Sequence, residues 1–389
     1  MIVPTRRAAK SARRTLARRH DGRTSRWTSL LAERTFARPA AAQSRCPIEA
    51  IPLPRDDVKV FVYEFASGGG FAGHPLVAGL SREGDLMLRT LLDELSLLPG
   101  IQILTSRDPR LPALPRTDTI VPAPGEDCFA LYARGVAACD AAWPTAPETD
   151  GVLERLATET LRQGRTLLGC RPDAVHVAGS KRATATVLRN ARVPVVPTLA
   201  LADAFPPLQG PWVVKPDDGA GCEDTLVVPD APAARERLQE APGRLVAQPW
   251  IAGIPMSLSL LCAEGRAMLL ACNVQHACIV EGAVTVEGIT VNAVPDAEGR
   301  YAHLAARVAA ALPGLWGYVG LDFVLTERGP VVLEINPRLT TSCCALQEAR
   351  GIGVAAMVLD LLRSSLLDAM PVAGEGVPVR IGLEISRAS

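Results

Sequence analysis

The stretch Gly320 to Arg338, GLDFVLTERGPVVLEINPR, leaves little freedom in how it can fold. Two apolar runs, Leu321–Leu325 and Val331–Ile335, flank the turn-rich Thr326–Pro330. That pattern predicts a β-hairpin with a five-residue loop. If Leu325 pairs with Val331, Asp322 comes to lie opposite Glu334, and Asn336 opposite Gly320, where open space is expected. Asn336 is two residues beyond Glu334 and therefore shares its face. Two carboxylates facing each other repel unless a cation lies between them or one takes a proton. With an amide oxygen beside them and room for water and phosphate, they offer the hard oxygen donors that suit Mg²⁺. The competing reading is a solvated hairpin with its polar residues outward. A loop one residue shorter, or a bulge, would also shift the register and dissolve the shared face.

Size and charge narrow the setting. A chain of 389 residues can hold two or three domains with cores of their own. Net charge is zero, yet Met1–Arg45 carries twelve Lys/Arg against Asp21 and Glu33, a net of +10, so the remainder is mildly acidic. An acidic body gives no reason to expect nucleic acid as a partner. The ten cysteines include no C-x-x-C pair, and only Cys343 and Cys344 are adjacent, which in a chain this long fits a reducing, cytoplasmic setting. No run of about eighteen apolar residues occurs, so no membrane span is expected. For residues 1–55, rich in Arg, Ala, Ser and Thr, a transit peptide, a basic arm and a disordered extension compete; the lack of a patterned apolar face favours the extension.

From Val58 the chain alternates strands and helices. Val58–Phe65 reads as a buried strand running into Ala66-Ser67-Gly68-Gly69-Gly70, a loop able to approach a ligand or simply to turn the chain. Helices are expected over Glu83–Leu97, Cys128–Ala138 and Gly151–Gln163, the last capped by Thr149 or Asp150. Short strands are expected at Ile101–Thr105 and Thr119–Val121. Alternation of this kind means a small parallel sheet.

Downstream, Gly179-Ser180-Lys181 opens a helix over Arg182–Asn190, and Pro211–Lys215 is a strand ending in lysine before Pro216-Asp217-Asp218-Gly219-Ala220-Gly221. A lysine at a strand end beside a glycine loop can hold phosphates with an ammonium and with unobstructed backbone N–H groups. Either lysine alone is more often a solvated charge; two at element ends, Lys181 and Lys215, favour function. Arg244–Gln248 is a further strand passing into Pro249-Trp250-Ile251-Ala252-Gly253. Such a linker can offer its backbone to an adenine edge while Trp250 and Ile251 wall the faces. Strands follow at Ser257–Leu261, Ala267–Gln275 and Ala283–Val286, then a helix at Tyr301–Leu312.

Lysine at a helix start, V-P-V-V-P-T, V-V-K-P with its glycine loop, Q-P-W-I-A-G, G-L-D-F and L-E-I-N-P-R occur in that order over about 169–362. In this order the motifs resemble the ATP-grasp superfamily. The resemblance implies an α/β chain with an ATP-grasp fold of α+β subdomains, preceded by a small parallel-sheet N-terminal α/β domain. The segments would be 1–55, an N-terminal domain 56–168, a phosphate-loop subdomain 169–247, a metal subdomain 248–365 and a C-terminal segment 366–389. By resemblance Lys181 and Lys215 hold phosphates with Gly219 and Gly221, and Gln248, Trp250 and Ile251 hold adenine. Asp322, Glu334 and Asn336 bind Mg²⁺, with Mn²⁺ the alternative ion, and Arg338 faces the transferred phosphoryl group or the oxyanion. At Pro255, where many members carry a ribose-binding glutamate, the chain departs from the pattern.

The resemblance implies an ATP-dependent carboxylate–amine ligase working through an acyl phosphate on small amino acid and amine substrates, and it leaves a homo-oligomer open. The alternatives are a ligase for another amino acid or dipeptide and a non-catalytic nucleotide-binding regulator. Tyr63-Glu64-Phe65, the glycine loop, Ala146–Asp150 and K-P-D-D-G-A-G are similar to the branch that joins L-glutamate to tyramine in making methanofuran-type cofactors. In that branch Glu64, Ser67, Gly68, Gly69, Asn273 and Gln275 would line the amino-acid pocket. Asn273 and Gln275 alternate along one strand and could equally be exposed polar positions.

Overall fold

The structure is a computed structural model, and it describes residues 57–364, 367 and 376–383. The expected extension at 1–55 and most of the 366–389 segment lie outside the described residues. Contacts divide the chain after Gln43, and every described residue belongs to the second unit, Ser44–Ser389.

A five-stranded parallel sheet forms first. Its strands are β1 (Val58–Glu64), β2 (Ile101–Ser106), β3 (Asp118–Ile120), β4 (Ala141–Thr145) and β5 (Thr166–Leu167), in the order β3-β2-β1-β4-β5. The central β1, VKVFVYE, is buried almost throughout, as a strand covered on both faces must be. Helix α1 (Ala78–Ser96) begins five residues before the expected Glu83. Gly79 and Gly84 weaken its first turns on propensity alone, but Ser81, Gly84, Leu88, Leu91 and Leu95 form one buried face that packs it down. Helices α2 (Cys128–Ala137) and α3 (Val152–Arg162) fall where expected. The cap of α3 does not: Gly151, at φ 68°, takes that position without a side-chain bond, while Thr149 Oγ1 and the Asp150 N–H both bond to Asp218.

After α4 (Pro172–Ala178) and α5 (Lys181–Asn190), a nine-stranded sheet takes over. It comprises β6 (Trp212–Pro216), β7 (Leu226–Val228), β8 (Leu245–Pro249), β9 (Ile254–Ala263), β10 (Arg266–Val280), β11 (Ala283–Val291), β12 (Gly317–Thr326), β13 (Gly329–Asn336) and β14 (Val379–Gly382). The order is β13-β12-β9-β10-β11-β7-β6-β8, with β14 on β11 and every pairing antiparallel. The β6–β7–β8 block, with α6 (Ala231–Glu240), has a small core of its own built on Trp212, Val214, Ala234, Leu238 and Ala247. One residue pair, Ala283 with Leu226, links that block to the rest of the sheet. The proline-punctuated Val193–Thr198 bridges them a second way: Val196 N–H donates to Val332 O at 3.0 Å, and Leu199 exchanges two bonds with Ala247.

The hairpin of β12 and β13 departs from expectation twice, and the departures cancel. Its loop is not five residues but two, Glu327 and Arg328, between the paired Thr326 and Gly329. That alone would shift the register by one and turn Glu334 to the opposite face. A β-bulge at Leu333 restores it: Phe323 pairs with Val332, yet Asp322 pairs with Glu334 and Gly320 with Asn336. The space expected over Gly320 is filled, because the Thr340 side chain lies 2.6 Å from where a Cβ would stand. Helices α7 (Arg300–Ala311), α8 (Leu346–Arg350) and α9 (Val354–Ser364) complete the described part. Among the described residues no helix is long and apolar enough to cross a membrane.

Candidate active site

Glu334 gathers the charges of the site. Lys215 Nζ, at the end of β6, donates to Glu334 Oε2 at 3.1 Å, and Lys181 Nζ, at the start of α5, lies 3.6 Å from the same oxygen. Both lysines are buried, so these ammonium groups meet little water. Burial alone would raise the Glu334 carboxyl, but the two ammonium charges outweigh it and hold the group below the usual carboxylate range. Asp322 goes the other way. Burial and the facing Glu334 charge push it up, although Gln275 Nε2 (3.1 Å) and Asn336 Nδ2 (3.2 Å) donate to its two oxygens.

The donor types fit a divalent cation. Two carboxylates from paired strands repel in the protein alone, and a cation between them would relieve that cost. Asn336 can turn its amide to present oxygen instead of nitrogen. Among the described residues no three His, Cys, Asp or Glu side chains form a metal cluster. A site with two carboxylates leaves its remaining positions to water and phosphate, as Mg²⁺ prefers.

The loop expected to hold phosphate, Pro216–Gly221, is anchored at its start by Asp217 and Asp218 and closes through Glu223 N–H to Ala220 O at 3.4 Å. Asp217 caps α5: its carboxylate accepts from Ser180 Oγ at 2.6 Å and from Arg182 N–H at 2.9 Å. Lys181 Nζ also donates to Gly219 O at 2.7 Å. Asp218 is held from the N-terminal sheet, where Thr149 Oγ1 donates to its carbonyl at 3.1 Å and Asp150 N–H to its carboxylate at 2.9 Å. Gly221, at φ +67°, has only Leu80 near its Cβ position, at 3.9 Å. Of the residues expected around adenine, Gln248 is buried and donates to Thr198 Oγ1 at 3.0 Å. Trp250 is 41% exposed, but its N–H is taken by Pro211 O and cannot serve a base edge. Ile251 next to it is half-buried, and Pro255 sits on β9 opposite Val324.

An ATP-grasp domain model matches residues 178–342, and a pre-ATP-grasp domain model matches 101–175, together well over half of the chain. Residues 178–342 are an ATP-grasp domain, set behind a pre-ATP-grasp domain. A tyramine–L-glutamate ligase from Methanocaldococcus jannaschii is 26% identical over 208 residues, 54% of this chain. That alignment spans only 58% of the relative's own length. The Methanocaldococcus fervens enzyme of the same name is 23% identical over 74% of this chain and 89% of its own. Among solved structures, an ATP-grasp superfamily protein from Archaeoglobus fulgidus superposes with a TM-score of 0.62 at 24% identity, covering 84% of this chain and all of that one.

The ATP-grasp domain meets the N-terminal sheet at Arg338. Glu148 binds it in a two-pronged pair, Nε to Oε1 at 2.9 Å and Nη2 to Oε2 at 3.2 Å. This partner lies 190 residues upstream in the A-P-E-T-D run, and no local spacing announces it. Of the residues expected around an amino-acid pocket, Gln275 reaches the site through Asp322, whereas Asn273 is fully buried. Asn273 donates to Ser257 and Ser259 and accepts from Asn292 N–H, so it braces the sheet. Glu64 is buried and turned onto its own loop, accepting from Ala66 N–H (3.1 Å), Ser67 N–H (2.7 Å) and Ser67 Oγ (2.6 Å). Gly68 and Gly69 are packing positions: an added Cβ would lie 2.4 Å from Glu64 O and 2.6 Å from Pro122 Cγ respectively.

Proposed function

We propose that the chain is an ATP-dependent carboxylate–amine ligase that joins L-glutamate to tyramine, or to a tyrosine-like amine, through an acyl phosphate. The observation that carries the reading is the meeting of Lys181, Lys215, Glu334 and Asp322 at one point, within charge reach of Arg338. Transfer of a phosphoryl group asks a protein for positioning and charge neutralisation rather than covalent chemistry. In this reading the two lysines leave Glu334 for the α- and β-phosphates of ATP. Asp322, Glu334 and Asn336 would hold Mg²⁺, which supplies neutralisation at the β- and γ-phosphates. Arg338, fixed in plane by Glu148, turns its remaining N–H groups toward the charge that develops on the acyl carbon's oxygens. The substrate pair rests on the names of the two curated relatives and on the sequence resemblance to the methanofuran-type branch.

The test is ADP release from ATP and Mg²⁺ across a grid of amino acids and amines. ADP that requires both L-glutamate and tyramine is the expected result. A signal from another pair would replace the substrates and keep the ligase. A grid without any amine-dependent signal would remove the ligase reading.

A further inference from the structure

The N-terminal sheet contributes a second carboxylate to this region. Glu83 lies in the second turn of α1, half-buried, next to Gly84, which rests directly on the Glu64 carboxylate. Thr341 Oγ1 donates to Glu83 Oε2 at 3.0 Å, bridging 258 residues of sequence. Thr341 is three residues beyond Arg338, and the Arg338 charge acts on Glu83. Arg338, itself paired with Glu148, is the charged group that acts on Glu83, and Glu64 lies beneath the neighbouring Gly84.

These three carboxylates differ in what they have left to offer. Both oxygens of Glu64 accept from its own loop, and both oxygens of Glu148 accept from Arg338. Glu83 uses one oxygen on Thr341, and among the described residues no donor is bonded to the other. Burial also raises its carboxyl above the ordinary value, the direction that improves a carboxylate as a base.

The ligase reading leaves a chemical need at this place. A primary alkylamine arrives protonated at neutral pH, with a pKa near ~10 like that of lysine, and an ammonium cannot attack a carbonyl. We propose that Glu83 binds the ammonium group of the incoming amine with its unshared oxygen and takes its proton, delivering the free amine to the acyl phosphate beside Arg338. This rests on the ligase reading of the site. One proton passes from nitrogen to the Glu83 carboxylate. The freed lone pair forms the C–N bond, and the C–O bond to phosphate breaks with its electron pair. The departing phosphate takes the second nitrogen proton, and Glu83 returns the first to water.

Two nucleophiles test this on the full chain with ATP, Mg²⁺ and L-glutamate, or with the acid and amine that the ADP grid identifies. Tyramine needs a base at pH 7.5. Hydroxylamine is already neutral there and reports acyl phosphate formation as a hydroxamate. In Glu83→Gln the amide rate with tyramine should fall by about 100-fold, while the hydroxamate rate stays within about threefold. The tyramine rate of the variant should climb with pH as free amine accumulates, more steeply than in the unaltered protein. Glu83→Asp should restore part of the rate. If Glu83→Gln fails to fold, Thr341→Ala loosens the same carboxylate and should slow tyramine alone, by about tenfold. Equal losses with both nucleophiles, or no loss with tyramine, overturn the assignment of Glu83. An unaltered protein that makes no hydroxamate at all overturns the ligase reading, a separate outcome.

Discussion

Two loops in this chain share one sequence signature and do opposite things. Each follows a buried strand that ends in a charged residue: β1 ends in Glu64 before Ala66–Gly70, and β6 carries Lys215 before Pro216–Gly221. Glu64 folds back and satisfies its own loop, whereas Lys215 reaches across to Glu334, 119 residues away. One glycine from each loop carries the contrast, although Gly219 of the second is also closely packed, its Cβ position 2.9 Å from Pro216 Cβ. A methyl group at Gly68 would strike the Glu64 carbonyl at 2.4 Å and Ser106 Oγ at 2.7 Å, while one at Gly221 would meet only Leu80 at 3.9 Å. Glycine near a strand end therefore has two physical uses: to let packed backbone close up, or to leave a ligand room. Only the second loop combines neighbouring ammonium groups with an uncrowded glycine, the combination on which the proposed phosphate site draws.

The largest effect should come from the outward-reaching charge. Lys215→Ala is expected to cut amine-dependent ADP formation by about 1,000-fold, with the thermal midpoint moved by no more than a few degrees. Equal ATP affinity in variant and unaltered protein, measured calorimetrically, would erase the distinction between the loops. The first loop should respond in the other currency. Gly68→Ala overpacks a closed turn and should cost about 2–3 kcal/mol of unfolding free energy, read from urea titration, while the surviving folded protein keeps its KM for ATP. A raised KM with unchanged stability would make it a ligand loop after all.

How much of this was legible in the sequence follows from how local each signal is. The strand-end lysines, the glycine loops and the polar face of the hairpin are neighbours in sequence, and they stand out there. Leu325 pairs with Pro330 and not with the expected Val331, but two compensating departures bring Asp322 opposite Glu334 and Gly320 opposite Asn336. A two-residue loop is the tighter hairpin solution, and the Leu333 bulge that repairs the register has no marker in VVLEIN. The Arg338–Glu148 pair and the Thr341–Glu83 bond span 190 and 258 residues. Only the docking of the N-terminal sheet on the ATP-grasp domain creates them. Asn273 misled for a related reason: alternation fixes which face a side chain takes, but not whether another residue already covers it.

A smaller effect is expected at the open loop. Gly221→Ala places an L side chain at φ +67°, a cost of about 1 kcal/mol. The uncrowded turn at Gly221, where a side chain would meet only Leu80, can absorb it by shifting. Stability should hardly change, and KM for ATP should rise about fivefold as the backbone N–H groups lose their alignment. A stability loss as large as that of Gly68→Ala would mean the second loop is packed as closely as the first.

The finest distinction is a titration. Burial raises the Glu64 carboxyl, and the Ser67 and Ala66 donors and the Arg338 charge only partly oppose it. The folded protein therefore binds more protons than the unfolded chain between the ordinary value of 4.5 and the raised one. Stability falls as pH rises through that window. Glu83, Glu94, Asp150 and Asp322 shift in the same direction, and Asp108, Glu126, Glu159 and Glu334 in the opposite one. The total curve mixes all of these contributions, but Glu64→Gln removes one of them. Unfolding free energies of the variant and the unaltered protein, taken without ligands from pH 4 upward, should differ by an amount that grows in the variant's favour across the window and then levels. A difference independent of pH would mean that the Glu64 charge is not enclosed by its loop. The strand-end glutamate would then stand open to solvent, and the first loop would lose its closed character.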